Sequence, residues 1–517
     1  MATDAQVRGG EVPMTRQSFR RAAMATMQIV YLVEDAVPPW GGVQVVFRQA
    51  DALRERGHDV TILCRSEAPT WHEPRCKFER VDAFHERYAP QTIVVGTWCP
   101  TVPAALVDVD AIPVHFCQGY EGDDPKHEAS LATIERIYRL PTKKLVISPF
   151  LERRIARLFG AKDLHRVPYG IRDEIFAPAS GPRCGSKLRI GLVGPYTVPW
   201  KDIPTGLEAL EVVTRRLAGR RAIEVVRISP VPFTDEERLA WRSLDVEAHC
   251  AVSQDEMARL YRSLDMFLGT SNGGAEGFFL PAIEAMASGL PCVLTDIDCF
   301  RDYGSAADRQ GCTYARFTAA GDAEAMASAI LEVALDEAER GRLARRGLEV
   351  AREHRFAVHV DAVEAVFTAY VDEARSESKA AREARRLERE LASIAWRGID
   401  ALILRAREGS TRDVIEAAEA LCTLTPEHAD AYLMLVRLLT ILPAAREPGA
   451  AAAAGRALKR ALELCPLTPG LARLAAQVAV AERDPESAAQ WYERAQDLGH
   501  PGRLFQSERA RFAPCVC

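Results

Sequence analysis

Glu276-Gly-Phe-Phe-Leu-Pro-Ala-Ile-Glu284-Ala-Met-Ala-Ser-Gly-Leu-Pro291-Cys-Val-Leu-Thr295 reads as a loop, a short helix and a buried strand. Pro281 suits the first helical position, where its missing N–H would have no intrahelical partner. Gly289 can take the left-handed conformation that ends a helix, Pro291 forbids its continuation, and Cys292-Val-Leu-Thr295 is extended and apolar. A short helix opening on a glycine-containing loop offers free N–H groups and a positive dipole end, which suits a phosphate. Glu276 in the loop and Glu284, expected in the first turn, flank that site. Carboxylates repel phosphate, so the pair points to neutral hydroxyls of a sugar or a ribose. A plainer reading leaves Glu284 complementing the helix dipole, worth about 0.3–1 kcal/mol.

Outward from this stretch the chain alternates strands and helices twice over. Met27–Val33, a loop through Pro38 to Gly42, a helix over Val43–Arg56 and a strand over Asp59–Cys64 form a βαβ unit. The Gly41-Gly42 pair opening the helix lets backbone approach a diphosphate, although turns use glycine for other reasons. Strands follow at Thr92–Gly96, Ile112–Cys117 and Lys144–Ser148. Gln118 and Glu121 lie just past the end of the second of these, where open parallel sheets bind ligands. His115, within that strand, reads as a core histidine. A polar linker over Ala179–Ser186 precedes a second set of strands at Leu188–Gly194, Ile223–Ile228, Val246–Ala251, Met266–Gly269 and Pro291–Thr295. The pattern predicts an α/β protein of two Rossmann-like lobes with parallel sheets.

Composition narrows the classes. With 517 residues, 48% apolar and 27% charged, the chain has room for two to four ordinary globular domains. A net charge of −6 argues against nucleic acid as a partner. Thirteen cysteines without paired spacing fit reduced thiols in a cytoplasm, and no run of eighteen apolar residues offers a spanning helix. Residues 1–26 carry no secretion-signal core and are expected to be disordered.

The Glu276–Thr295 string resembles the donor-site signature of glycosyltransferase family 4, group 1 enzymes of the two-lobed GT-B fold. Val167-Pro-Tyr-Gly170-Ile and the segment around Gln118-Gly-Tyr-Glu121 are similar to further family segments, the latter to a subset handling deoxyhexoses. The resemblance runs from Met27 to about Glu373 and implies a retaining, metal-independent transfer of a hexose or deoxyhexose from a nucleoside-diphosphate sugar. No cofactor beyond that donor substrate is implied. Glu276 would hold sugar hydroxyls and Glu284 the ribose. Lys201 and the N–H groups of Phe278, Phe279 and Leu280 would carry the departing diphosphate, with Gly41, Gly42, Gly194 and Gly277 also binding the donor. Gln118 and Glu121 face the acceptor side. The chain departs from the family in four places: Tyr169 stands where Asn is usual; no arginine follows Gly194, leaving Arg227 or the first lobe to replace it; Phe279 stands where glycine is common and is expected to crowd the pocket; and Gln118 occupies a histidine slot. Asp296-Ile-Asp298 reads as a strand end rather than a metal site.

From Ser376 the composition turns to Ala, Arg, Glu and Leu. Ser376–Glu390 reads as a solvated helical spacer. Three later helices end near Pro426, Pro466 and Pro501, spaced 40 and 35 apart, close to the roughly 34-residue tetratricopeptide period. The domains expected are a disordered segment over 1–26, lobes over 27–178 and 179–355, a crossover helix over 356–374, and a tetratricopeptide-like α-helical domain over 375–517 for a protein partner or self-association. The basic helix Ser148–Gly160 offers peripheral contact with an anionic membrane surface. The acceptor is a glycan, a lipid-linked glycan or a protein. Two other functions fit the same residues: a degenerate nucleotide-binding scaffold and, more remotely, a nucleotide-sugar epimerase.

Overall fold

The computed structural model describes residues 26–161, 163–181, 185–311, 313–408, 411–441 and 449–511. The expected disordered segment, apart from its last residue, and the middle of the expected linker lie outside them. The first sheet contains β1 (Gln28–Val33), β2 (Asp59–Cys64), β3 (Lys77–Arg80), β4 (Ile93–Gly96), β5 (Ile112–Cys117), β6 (Lys143–Val146) and β7 (Leu164–Arg166). They lie in the order β3-β2-β1-β4-β5-β6-β7, and every pair is parallel. The second contains β8 (Leu188–Val193), β9 (Ile223–Ser229), β10 (Val246–Cys250), β11 (Met266–Gly269), β12 (Cys292–Thr295) and β13 (Arg316–Thr318), in the order β10-β9-β8-β11-β12-β13. In each sheet the chain order reverses beside the first strand, between β1 and β4 and between β8 and β11. Parallel sheets open a crevice at the carboxyl ends of such strands.

β4, β5, β11 and β12 are buried throughout, and their apolar runs match strands covered on both faces. Four edge strands carry no such run: β3, β7, β10 and β13 are short, with polar, partly exposed residues. Helix α1 (Gly41–Glu55) starts on the glycine pair itself, two residues before the expected start. Two further helices of the first lobe are α2 (Leu131–Arg139) and α3 (Pro149–Phe159), the latter capped by Ser148 and closed by a left-handed Gly160. Helix α4 (Leu280–Ala287) has Pro281 as its second residue and ends before Gly289, whose φ is +74°. Glu284 therefore opens the second turn rather than lying in the first.

Helix α5 (Phe356–Ser376) leaves the second lobe and returns to the first, where Val360, Val363, Phe367 and Tyr370 join the core beneath β5 and β6. The helix after it, α6 (Lys379–Glu408), is exposed over most of its stretch to Glu390, as expected of a spacer, but docks on the first lobe from Arg389 onward. Arg389 is 4% exposed and donates from Nη1 to the carbonyls of Val109 and Ala111, at 3.1 and 2.6 Å, while Ala392 enters the first-lobe core. The docking of Arg389 was not legible, because the carbonyls it caps lie far away in sequence.

Helices over Thr411–Leu424, Ala429–Ile441, Ala450–Leu464, Pro469–Ala481, Pro485–Asp497 and Arg503–Ala510 complete the tail. Their apolar faces pack on one another, and Ala472, Ala476, Tyr492, Leu498 and Phe505 also join the first-lobe core. The tail thus packs partly on the chain's own first lobe. The ties come from α2. Buried Glu135 accepts from the Thr468 hydroxyl at 2.6 Å and the Gly470 N–H at 2.7 Å. Arg139 Nε donates to Asp430 at 3.0 Å, and Arg136 stacks on Trp396 and donates to Asp400. The basic helix α3 is engaged as well: Arg153 reaches Asp302 of the second lobe, and Arg154 holds Asp123 and the Leu498 carbonyl. Arg153 and Arg157 stay exposed on this helix, while Arg154 is turned into the junction with the tail.

Glu135→Ala leaves two buried donors without their acceptor and should cost about 3 kcal/mol. Amide exchange should rise across Thr468–Ala481 before the strands of either sheet. Asp400→Ala, at a side chain 49% exposed, should cost under about 1 kcal/mol. Equal effects of the two substitutions would contradict the docking described.

Candidate functional site

The carboxyl edges of the two sheets face each other across a cavity of about 500 Å³. The second lobe contributes Gly194, Lys201, residues 275–281 and Glu284; the first contributes Trp40, Gly41, Gln44, Arg48 and Gln118. The predicted residues Gln118, Gly41, Gly194, Lys201, Glu276, Gly277, Phe278, Phe279, Leu280 and Glu284 are therefore brought to one cleft.

Each is placed by local chemistry. Gly194 follows β8 with φ of +134°, a conformation other residues avoid. Lys201 ends a 3₁₀ turn over Pro199–Lys201, and its carbonyl accepts from the Thr270 hydroxyl at 2.6 Å. Its ammonium pairs with Glu276 and lies 4.4 Å from the centre of the Phe279 ring. The buried Glu276 carboxylate also accepts from Ser271 Oγ at 2.9 Å. Gly277 touches the opposite lobe: its carbonyl accepts from Ser148 Oγ at 3.1 Å, and a Cβ there would lie 2.6 Å from the Gln118 carbonyl oxygen. Phe278 packs against Tyr169, Tyr303 and His354.

Phe279 does not crowd the approach as the sequence suggested. Its side chain is 4% exposed and sits beside Phe267 and Phe300 in the second-lobe core, and its carbonyl accepts from the Tyr303 hydroxyl at 2.9 Å. Gly42 does not line the cavity. A Cβ there would lie 2.7 Å from Gln118 Oε1, so this glycine admits the Gln118 side chain. Gln118 is fixed by donating from Nε2 to the Thr97 carbonyl at 3.0 Å and by accepting from the Tyr169 hydroxyl. Glu121 stands apart from the cavity wall, where it accepts from the Tyr138 hydroxyl at 2.8 Å. His115 is buried against Tyr138, and burial with Lys144 nearby pushes its pKa down.

Arg227 cannot replace an arginine after Gly194. It is fully buried, pairs with Glu237 at 2.8 Å and donates to the carbonyls of Leu192, Gly194 and Ile228. It braces the glycine turn from behind. Asp296 and Asp298 are held by Arg301 and Arg309. Sequence reasoning missed Gln44 and Arg48, one turn apart on α1 with Gly41, all on the cavity wall. Their spacing puts them on one helix face, a signal present in the sequence but overshadowed by the glycines.

Glu284 is buried, with the Tyr261 hydroxyl 3.5 Å away and Arg48 acting on it from the opposite wall. Burial dominates and lifts its pKa from 4.5 to about 7. The folded chain thus holds a proton that the unfolded chain releases near 4.5, and this contribution to stability is lost as pH rises through about 7. Relative to Glu284→Gln, the wild-type chain should lose about 3 kcal/mol of unfolding free energy between about pH 4 and pH 8. Parallel stability curves for the two proteins over that range would contradict the burial of an ionisable carboxyl here.

Residues 187–336 match the family model described as "Glycosyl transferases group 1". A phosphatidyl-myo-inositol mannosyltransferase of Mycobacterium leprae is 26% identical over 223 residues, 42% of this chain and 56% of the relative. An MMP alpha-(1->4)-mannosyltransferase of Mycolicibacterium hassiacum is 33% identical over 137 residues, 26% of this chain and 31% of the relative. The chain spans about half the length, or less, of the curated relatives it matches. Among solved structures, sucrose-phosphate synthase from Thermosynechococcus elongatus superposes with a TM-score of 0.53 at 17% identity, over 66% of this chain and 98% of that one. Anabaena HepE, crystallised with UDP, gives 0.53 at 12% identity over 66% and 100%. The strand orders and the superpositions agree on the two-lobed GT-B fold, and within it residues 187–336 of the second lobe resemble the group 1 glycosyltransferases.

Proposed function

We propose that the chain transfers a hexosyl group from a nucleoside-diphosphate sugar to an acceptor hydroxyl, with retention and without a metal. The observation that carries this reading is the convergence of Lys201, Glu276, Glu284 and the amino end of α4 on one cavity between the lobes. Glu284 accepts ribose hydroxyls, Glu276 accepts sugar hydroxyls, and Lys201 with the backbone at the start of α4 takes the charge of the leaving diphosphate. The acceptor oxygen bonds to the anomeric carbon as that carbon's bond to the β-phosphate oxygen breaks. The acceptor's proton passes to the departing phosphate on the same face. Closure across Gly277 and Gln118 keeps water from taking the acceptor's place.

A hexose is favoured by the two mannosyltransferase relatives, although the Gln118–Glu121 turn keeps a deoxyhexose in view. HepE, with the same fold, was crystallised with UDP-glucose, which makes a nucleoside diphosphate the natural first probe. The acceptor is a glycan or lipid-linked glycan, and a lipid-linked one would bring the enzyme to a cytoplasmic membrane face. Among the described residues no helix is long and apolar enough to cross a membrane.

Thermal unfolding with UDP, GDP, dTDP or ADP, in the presence of a chelator, tests the reading. One nucleotide should raise Tm, by about 2.7 kcal/mol of stabilisation at a hundredfold excess over Kd. Glu284→Ala should abolish the shift, and Glu276→Gln should keep it while lowering sugar transfer roughly 100-fold. No shift with any of the four overturns the proposal and leaves the scaffold.

A further inference from the structure

The cavity wall carries five charged side chains: Arg48, Lys126, Lys201, Glu276 and Glu284. Two of the three cations already have a carboxylate partner. Lys201 pairs with Glu276, and Lys126 lies 3.0 Å from Asp124. Arg48 has none: among the described residues no carboxylate oxygen comes within the 4.0 Å of an ion pair to its guanidinium. Its single hydrogen bond runs from Nη2 to Gln44 Oε1 at 2.6 Å, and Gln44 is itself pinned by donating from Nε2 to the Pro39 carbonyl at 2.8 Å. The guanidinium is thus oriented by a residue that is held, while its other N–H groups are left for a ligand. Burial lowers its pKa only to about 10, so it stays charged at neutral pH.

A nucleoside diphosphate brings at least two negative charges into this cleft. The second lobe meets them with Lys201, whose charge Glu276 already offsets, and with helix-end N–H groups. Arg227, the other arginine beside the glycine turn, is fully engaged with Glu237 and three carbonyls. We infer that Arg48 is the diphosphate-binding arginine of this cleft, a cation supplied by the first lobe to a nucleotide seated on the second. Planar guanidinium geometry suits two phosphate oxygens at once, which an ammonium does not match. Because α1 belongs to the opposite lobe, this charge reaches the diphosphate only when the lobes are together. Binding and closure are therefore coupled through one side chain. The inference rests on the donor reading proposed above.

Calorimetric titration separates the two. Wild type, Arg48→Met and Arg48→Lys are titrated with the nucleoside diphosphate that binds, among UDP, GDP, dTDP and ADP, and with its parent nucleoside. Work at about pH 8.5 keeps Glu284 ionised throughout. Arg48→Met should weaken the diphosphate roughly 10- to 100-fold and leave the nucleoside within about twofold, with Arg48→Lys between. Equal diphosphate affinity in wild type and Arg48→Met overturns the inference while leaving the donor reading intact. Equal loss of diphosphate and nucleoside in both variants also overturns it, since the side chain would then only shape the pocket. Failure of wild type to bind any of the four overturns the donor reading and this inference with it.

Discussion

The cleft depends on a close backbone contact between the lobes. Gly277 lies so near the carbonyl of Gln118 that a single added carbon would meet it at 2.6 Å, and Ser148 Oγ donates to the Gly277 carbonyl beside it. This contact fixes the separation of the two carboxyl edges and hence the width of the cavity. It is held from one side by Arg153 with Asp302 and from the other by α5, whose apolar face returns to the first-lobe core. Phe278, wedged among Tyr169, Tyr303 and His354, makes the loop that carries Glu276 part of the same junction. A glycine is required because any side chain at 277 would push the lobes apart.

Charge in the cleft follows from that separation. The second lobe alone presents Lys201 with two glutamates, a poor arrangement for an anion. Bringing α1 across adds Arg48 opposite Glu284. Even so, burial outweighs attraction, and the Glu284 carboxyl stays well above the usual carboxylate range. A buried acid of this kind is costly to ionise and ready to be compensated, which suits a residue whose partners arrive with a ligand.

Most of the architecture was legible because parallel strands buried on both faces must be apolar runs, and helices between them leave glycine and proline at their ends. β2, β5 and β11 lie where those runs begin and stop. The edge strands β3, β7 and β13 were not legible, since one ladder partner and a half-solvated face demand no hydrophobic pattern. At the cleft, glycines and carboxylates were visible because their chemistry is local to a loop. The role of Arg227 was not. Whether an arginine faces a ligand or a ring of carbonyls depends on β8 and β9 lying side by side, which no spacing along the chain reveals. Phe279 misled for a related reason, because its identity says nothing about which side of the loop its ring takes.

The tail presents the same difficulty on a larger scale. Its alanine-rich helices suggest a separate solenoid, yet Glu135, Arg136 and Arg139 of α2 meet Thr468, Asp400 and Asp430 far along the chain. A buried carboxylate with two short donors is stable only while those donors stay in place, so the tail and α2 hold each other. The connection does not stop there. Arg154 joins the Leu498 carbonyl of the tail to Asp123, and Asp123 lies beside Gly274, where an added Cβ would come within 3.3 Å of its carboxylate. Gly274 is two residues from Glu276. The tail is therefore built into the first lobe at a point that packs against the loop carrying Glu276.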